Sequence, residues 1–423
     1  MKQDQKSRIV EAAFDVWAQT HYTSTSLSLI AGRLSLTKQA LYRYFPNKAA
    51  IIEAMGNSLL ADFSRVSDAM EACAREIEAS GEALSGQEIL NQTLTTYVSA
   101  EMEFIRTNPN YYMFLTMYMP YAGEEVRSSL REIMNTQRRL LRRCLEPAVN
   151  PGTPESEWEI LVFHLGLVTM LLSAFHFWGV DGTRHKDIEH AFTAHIQNAI
   201  GIIGHGLFPE ARRDLDFERL MNRFAISREE MPPVDRLLTA VQEAVSENGV
   251  EMASLERIAE KVGISKSSLY FYFANKGEMF ENMVRREQMH FNQLFKEKSH
   301  GIEGADEKIY GYMITLATYL IRNTAMLRMF EWLRSQRIHV RFTDGKRKSI
   351  EEPLEFLKTV MAQSPRAGGG LNHSELTTLL SAVVLWRIAT LYSQDTSEEI
   401  LGSICTIYRL ITQGVAGSFM GKE

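Results

Sequence analysis

Apolar residues recur along this chain at intervals of three and four, and no stretch of any weight alternates at every second position, so helices are expected throughout. Ile9, Ala13, Val16 and Trp17 share a stripe over residues 7–20, a first helix. Residues 26–34 read as a second, short helix with Ser26 placed to cap it. After a tight turn at Ser35-Leu36, Thr37 is placed to cap a third over residues 37–45, its hydroxyl taking up a free N–H of the first turn. There Leu41 and Phe45 fall together at i,i+4 and must be buried, while Lys38, Gln39, Tyr42 and Arg43 face the other way. Pro46-Asn47-Lys48 opens a longer helix that runs to about Glu78. Further periodic segments cover residues 89–107, 124–145, 160–178 and 187–205, broken by Ser80-Gly81, Ser85-Gly86, Asn108-Pro109 and Pro151-Gly152.

The pattern then returns. Ser254-Leu255-Glu256-Arg257-Ile258-Ala259 and Ser265-Lys266-Ser267-Ser268-Leu269-Tyr270-Phe271-Tyr272-Phe273-Ala274-Asn275-Lys276 copy the second and third helices without a gap, each position 228 residues after its counterpart, as Ser254 follows Ser26. About a third of the positions in 8–48 and 236–276 are identical, the mark of a duplicated module. Later segments repeat too: 160–178 and 187–205 are matched by 376–392 and 397–414, the first pair at an offset of about 216. The first half therefore holds about a dozen extra residues, placed most simply near 80–86. The charged stretch ending in Pro232-Pro233 reads as a linker. The expected organisation is a small three-helix module at 1–50, a helical region at 51–209, a linker at 210–233, a second module at 234–278 and a second helical region at 279–423.

Two short helices joined by a tight turn give helix-turn-helix order, and the exposed face of the second suits a DNA groove. Arg43 can fork onto guanine, Gln39 onto adenine, and Tyr42 and Lys38 can hold phosphates. At Thr37-Lys38-Gln39-Ala40-Leu41-Tyr42-Arg43-Tyr44-Phe45-Pro46-Asn47-Lys48 and its copy, each behind a helix carrying Ile-Ala, the chain resembles the tetracycline-repressor (TetR) family of bacterial regulators. The resemblance covers only these modules. Family members usually have Gly in the inter-helix turn; Gly263 keeps it, but Ser35 does not, so strain is expected there.

The resemblance implies an all-α fold of two fused TetR-like repeats, each a helix-turn-helix module followed by a helical regulatory region. Family chains pair through their last two long helices. Here the repeats are expected to pair as an intrachain pseudo-dimer, with further homodimerisation left open. The implied function is transcriptional regulation in the cytoplasm, most often repression, with a double-stranded DNA operator as partner and an unknown small-molecule effector. The positions carried over as DNA contacts are Ser26, Thr37, Lys38, Gln39, Tyr42, Arg43, Tyr44 and Lys48 in the first module. In the second they are Ser254, Ser265, Lys266, Ser267, Tyr270, Phe271, Tyr272 and Lys276.

Composition adjusts this picture. A chain of 423 residues with 45% hydrophobic content suits two cored halves, and its net charge of −6 gives no hint of nucleic acid. The distribution does: residues 1–48 hold seven Lys/Arg against three Asp/Glu, whereas residues 233–276 hold five against six. Glu256 and Glu260 would repel phosphates, so a degenerate second module remains an alternative, with the chain acting through homodimerisation or mainly as an interaction protein. A helical enzyme using an inner cavity is the other rival. Yet no phosphate loop, nucleophile elbow, paired carboxylates or metal spacing stands out, and no cofactor or metal is expected. Cys73, Cys144 and Cys405 are isolated and read as reduced structural thiols. An amphipathic helix near the N-terminus replaces the apolar run of a secretory signal. The apolar stretch at 160–178 approaches bilayer length, but it carries two His and reads as a bundle core; no membrane is expected. Around the aromatic and Met-rich stretch after Pro109, Tyr112, Met113 and Met117 are candidates for an effector pocket, as are His164 and His176. Plain core is the competing reading for all five.

Overall fold

The computed structural model describes residues 5–19, 27–115, 122–178, 191–208, 214–233, 236–252, 254–268, 276–327, 353–363, 369–391 and 397–420. Every regular element among them is helical, as the period of the apolar residues requires. The chain divides into two compact units, Met1–Gly204 with Phe419–Glu423, and His205–Ser418.

In the first unit, α1 (Gln5–Gln19), α2 (Leu27–Arg33) and α3 (Lys38–Tyr42) form a small module with Ile9, Ala13, Trp17, Ile30 and Leu41 at its centre. α4 (Lys48–Ser80) leaves it, begun by Asn47, whose Oδ1 accepts the Ala50 N–H at 2.9 Å. Ile51, Ile52, Met55, Leu59, Phe63, Val66, Met70 and Ile77 line its buried side, facing α5 (Gly86–Thr107) and α7 (Glu124–Leu145). Gly56 permits the approach of α7, since a Cβ there would stand 2.5 Å from Val126. Ser85 and Glu88 close a reciprocal capping box at the start of α5. A short α6 (Asn110–Met113) follows, and the apolar α8 (Glu155–Trp178) packs on α5 and α7. α8 is long and apolar enough to cross a bilayer, but most of it is buried, as a central bundle helix should be. α9 (Phe192–His205) completes the order of helices in this half.

The second unit repeats the plan with α11 (Arg236–Met252) and α12 (Leu255–Val262), a further helical start at 266–268, then α13 (Lys276–Ser299) and α14 (Ala305–Arg322). α15 (Phe356–Gln363), α16 (His373–Leu391) and α17 (Ser397–Phe419) follow. α16 and α17 correspond to α8 and α9. The extra residues of the first half do not sit mainly in a loop. They lengthen α4 to 33 residues against 24 in α13, and Arg143 of α7 ties the added turns down by bridging Glu71 at 3.0 Å and Glu78 at 2.6 Å.

Within the stretch read as a linker, residues Phe217–Phe224 form α10, capped by Asp216. Leu220 and Phe224 fall at i,i+4 and are buried in the second unit. Phe224 lies on α14 where only glycine fits, because a Cβ on Gly311 would come within 2.4 Å of its ring. The charge of this stretch hides an amphipathic helix.

Candidate nucleic-acid interface

The first module builds its outward face from the turn upward. Leu36 N–H donates to Ala31 O at 2.9 Å and Ser35 N–H to Gly32 O at 3.2 Å, the paired bonds that stop a helix and reverse the chain. That geometry needs a left-handed residue, and Ser35 supplies it at φ 54°, the one non-glycine with positive φ among the described residues. α12 ends through the same bonds, Ile264 to Ala259 O and Gly263 to Glu260 O, with Gly263 at φ 80°.

Past the turn, Thr37 Oγ1 accepts the Ala40 N–H at 3.1 Å and starts α3. Leu41 and Phe45 are buried and anchor the helix, whereas Lys38, Gln39 and Arg43 are exposed, with Tyr42 44% and Tyr44 37% open to solvent. A phenol left that exposed on a well-packed module has no role in its core. Lys38 lies 5.9 Å from the centre of the Tyr42 ring and has no ion-pair partner among the described residues, nor has Arg43 or Arg33. Among the described residues the face is therefore an unneutralised row of donors beside two exposed tyrosines. Lys48, half-buried at the start of α4, has its pKa lowered by desolvation. Ser26 lies outside the described residues.

The second module differs at the same positions. Ser254 caps α12, accepting the Arg257 N–H at 3.4 Å, and Ser265 accepts the Ser268 N–H at 3.0 Å. Ser267 is exposed. Lys266, the counterpart of Lys38, is bound by the carboxylate of Glu256. That hydrogen bond, with the Lys266 charge, holds the Glu256 carboxyl down to about 2. Lys261, the counterpart of Arg33, is turned back to Glu247 at 2.7 Å and Glu243 at 3.5 Å on α11. Tyr270, Phe271, Tyr272 and the Lys276 side chain lie outside the described residues.

Behind the first module, α6 reaches α1. Asn110 Nδ2 donates to Asp15 at 3.0 Å, and the Tyr111 hydroxyl donates to Asp62 of α4 at 2.5 Å. Tyr111 and Phe114 meet Phe14 edge-on at 5.1 and 5.5 Å, and Tyr111 stacks on Phe104. This junction was not legible as a site: a single signal, the Asn108-Pro109 break, stands beside it. Tyr111 and Phe114 are core to the junction, whereas the side chains of Tyr112 and Met113, and Met117 altogether, lie outside the described residues. Among the histidines, His164 is buried, and burial pushes its pKa down to about 3. His176 stacks on His195 at 4.4 Å, and His195 is pushed down to about 4 by burial and then by its neighbour. The structure thus brings His176 and His195 together but does not join them to His164 by any described contact. No cluster of three or more metal-ligating side chains occurs among the described residues.

Comparison with known proteins fits this geometry. The model of bacterial regulatory proteins of the tetR family matches residues 9–55 and again residues 237–283. The HTH-type transcriptional regulator UidR of Escherichia coli (strain K12) is 23% identical over 172 residues, 40% of this chain and 87% of the relative. The nucleoid occlusion factor SlmA of Pasteurella multocida is 26% identical over 141 residues, 31% of this chain and 66% of the relative. With SlmA of Haemophilus ducreyi the identity is 44% over 41 residues, 10% of this chain and 20% of the relative. Both matched spans open on the stripe of α1 or its copy and end inside the outgoing helix, so the N-terminal module of the tetR family of bacterial regulatory proteins is present twice in this chain.

Proposed function

We propose that this chain is a cytoplasmic DNA-binding transcriptional regulator, a ligand-responsive repressor rather than an enzyme, whose two non-identical modules read one operator. The observation that carries this reading is the exposure of Lys38, Gln39, Tyr42 and Arg43, with no ion pair to Lys38 or Arg43 among the described residues, on a helix anchored by Leu41 and Phe45. Burial of one side fixes the helix, and the other side is left with the donors that base edges and phosphates accept. The two halves take the part of the two chains of an ordinary family dimer. A small molecule acts by binding the DNA-competent and incompetent states with different affinity. Tyr112, Met113, Met117 and His176 remain the candidates for its site. His164 is the weakest of the five, being a neutral core imidazole.

Retention of the purified chain on duplex DNA across a salt series tests the reading. Binding that weakens steeply as salt rises is expected, with a slope set by the number of phosphates contacted. Retention that ignores salt, or none at all, contradicts it. A second reading, in which the second module is degenerate and whole chains pair to present two first modules, is favoured by the closure of Lys266 onto Glu256. Stoichiometry on DNA separates the two: one chain per operator, or two.

A further inference from the structure

The two reading helices are copies, yet they are surrounded differently by charge. Position 28 of the first module is an exposed Ser and position 32 an exposed Gly, so nothing on α2 competes with phosphate for Lys38. The matching positions on α12 are Glu256 and Glu260, both exposed and one turn apart. Glu256 reaches across the turn to Lys266, while Lys261 is held by Glu243 and Glu247. Arg257, where the first module has Leu29, is half-buried.

We propose that Glu256 is a negative specificity determinant of the second module: it occupies Lys266 and sets a carboxylate where DNA phosphate would lie, so that the second half-site is held weakly. This rests on the DNA-binding reading above. An exposed ion pair contributes little to folding, so the pair is explained poorly as a stabilising device. Its effect on an approaching polyanion is larger, because Lys266 must exchange Glu256 for a phosphate while the carboxylate stays nearby. One phosphate contact fewer lowers the slope of log K against log salt by about 0.9 for duplex DNA, and at ~0.15 M salt it weakens binding about fivefold. The first module has no such contact among the described residues, and the operator is read chiefly through Lys38 and Arg43.

The test uses the full chain and a duplex that it selects from random DNA. Glu256→Gln keeps the shape of an exposed side chain and removes its charge. It is expected to bind about fivefold tighter at ~0.15 M salt and to steepen the salt slope by about one. Adding Lys266→Ala to that variant should abolish both gains, and Lys266→Ala alone should change little, whereas Lys38→Ala should weaken binding and flatten the slope. If Glu256→Gln leaves affinity and slope unchanged, or if Lys266→Ala alone weakens binding as much as Lys38→Ala, the role of Glu256 is overturned while the DNA reading stands. A wild-type chain that selects and retains no duplex overturns the DNA reading itself.

Discussion

Ser35 shows how one residue carries the geometry of a module at a cost. Its φ of 54° places Cβ against the neighbouring carbonyl, a conformation that costs a side-chain-bearing residue about 1–2 kcal/mol. The second module avoids that cost with Gly263, whose surroundings leave open space. Ser35→Gly is therefore expected to stabilise the first module by about 0.5–1 kcal/mol, the relief of strain being partly offset by a freer unfolded chain. Urea unfolding checks it, and a neutral or destabilising result would contradict the strain. His164 makes a second residue-scale prediction. Its folded pKa is depressed to about 3, below the ~6.5 of an unfolded histidine, so the unfolded chain binds protons that the folded one refuses. Stability due to His164 is then present above pH ~6.5 and is lost as pH falls towards about 3; His195 acts in the same direction down to about 4. Whatever its stability at neutral pH, His164→Leu should lose less than the wild type between pH ~6.5 and ~4. Parallel losses in urea midpoints would sink that account.

Among the elements, α6 is short but joins three others. It places Asn110 against Asp15 of α1 and Tyr111 against Asp62 of α4, with Phe14 packed between Tyr111 and Phe114. Tyr111→Phe keeps the ring stack and removes the bond to a carboxylate, at an expected cost of about 1–3 kcal/mol. Faster amide hydrogen exchange in α1 should accompany that loss, and DNA affinity should fall although no DNA-facing residue has changed. Global destabilisation without selective loosening of α1 would show that the junction is only core. The junction also marks the limit of what a sequence reveals. Local periodicity and caps made α3, α7 and the central burial of α8 readable, because Thr37, the Pro151-Gly152 break and a nearly all-apolar α8 each act within one or two turns. The Asn110–Asp15 bond joins residues 95 positions apart, and no local period encodes it. In α10 the charges around Leu220 and Phe224 outweighed two apolar residues whose role depends on Gly311 far along the chain. The added turns of α4 are hidden in the sequence because Ser80-Gly81 breaks the pattern just beyond them, while the glutamates that Arg143 holds look like ordinary solvated surface.

For the whole molecule, the central claim is that duplication has made the two reading surfaces unequal. An ordinary homodimer presents identical helices and favours a near-palindrome with half-sites about one helical turn apart. Here Gln39 is matched by Ser267, Arg43 by Phe271, and a Lys38 without an ion pair among the described residues by a Lys266 that Glu256 already holds. Arg43 can fork onto guanine, whereas Phe271 offers only apolar contact to a thymine methyl. The face on α3 was legible from its residue types, since exposure of Lys38, Gln39, Tyr42 and Arg43 follows from burial of Leu41 and Phe45. The neutralisation of Lys266 required the fold, which brings α12 across the turn. The most direct measurement is selection of bound duplexes from random DNA with the wild type and with Arg43→Ala. An asymmetric site is predicted, with Arg43→Ala costing about 1–3 kcal/mol and relaxing sequence preference in one half only. Perfect palindromes, or equal weakening of both halves by Arg43→Ala, would contradict the account and mean that two chains pair like modules.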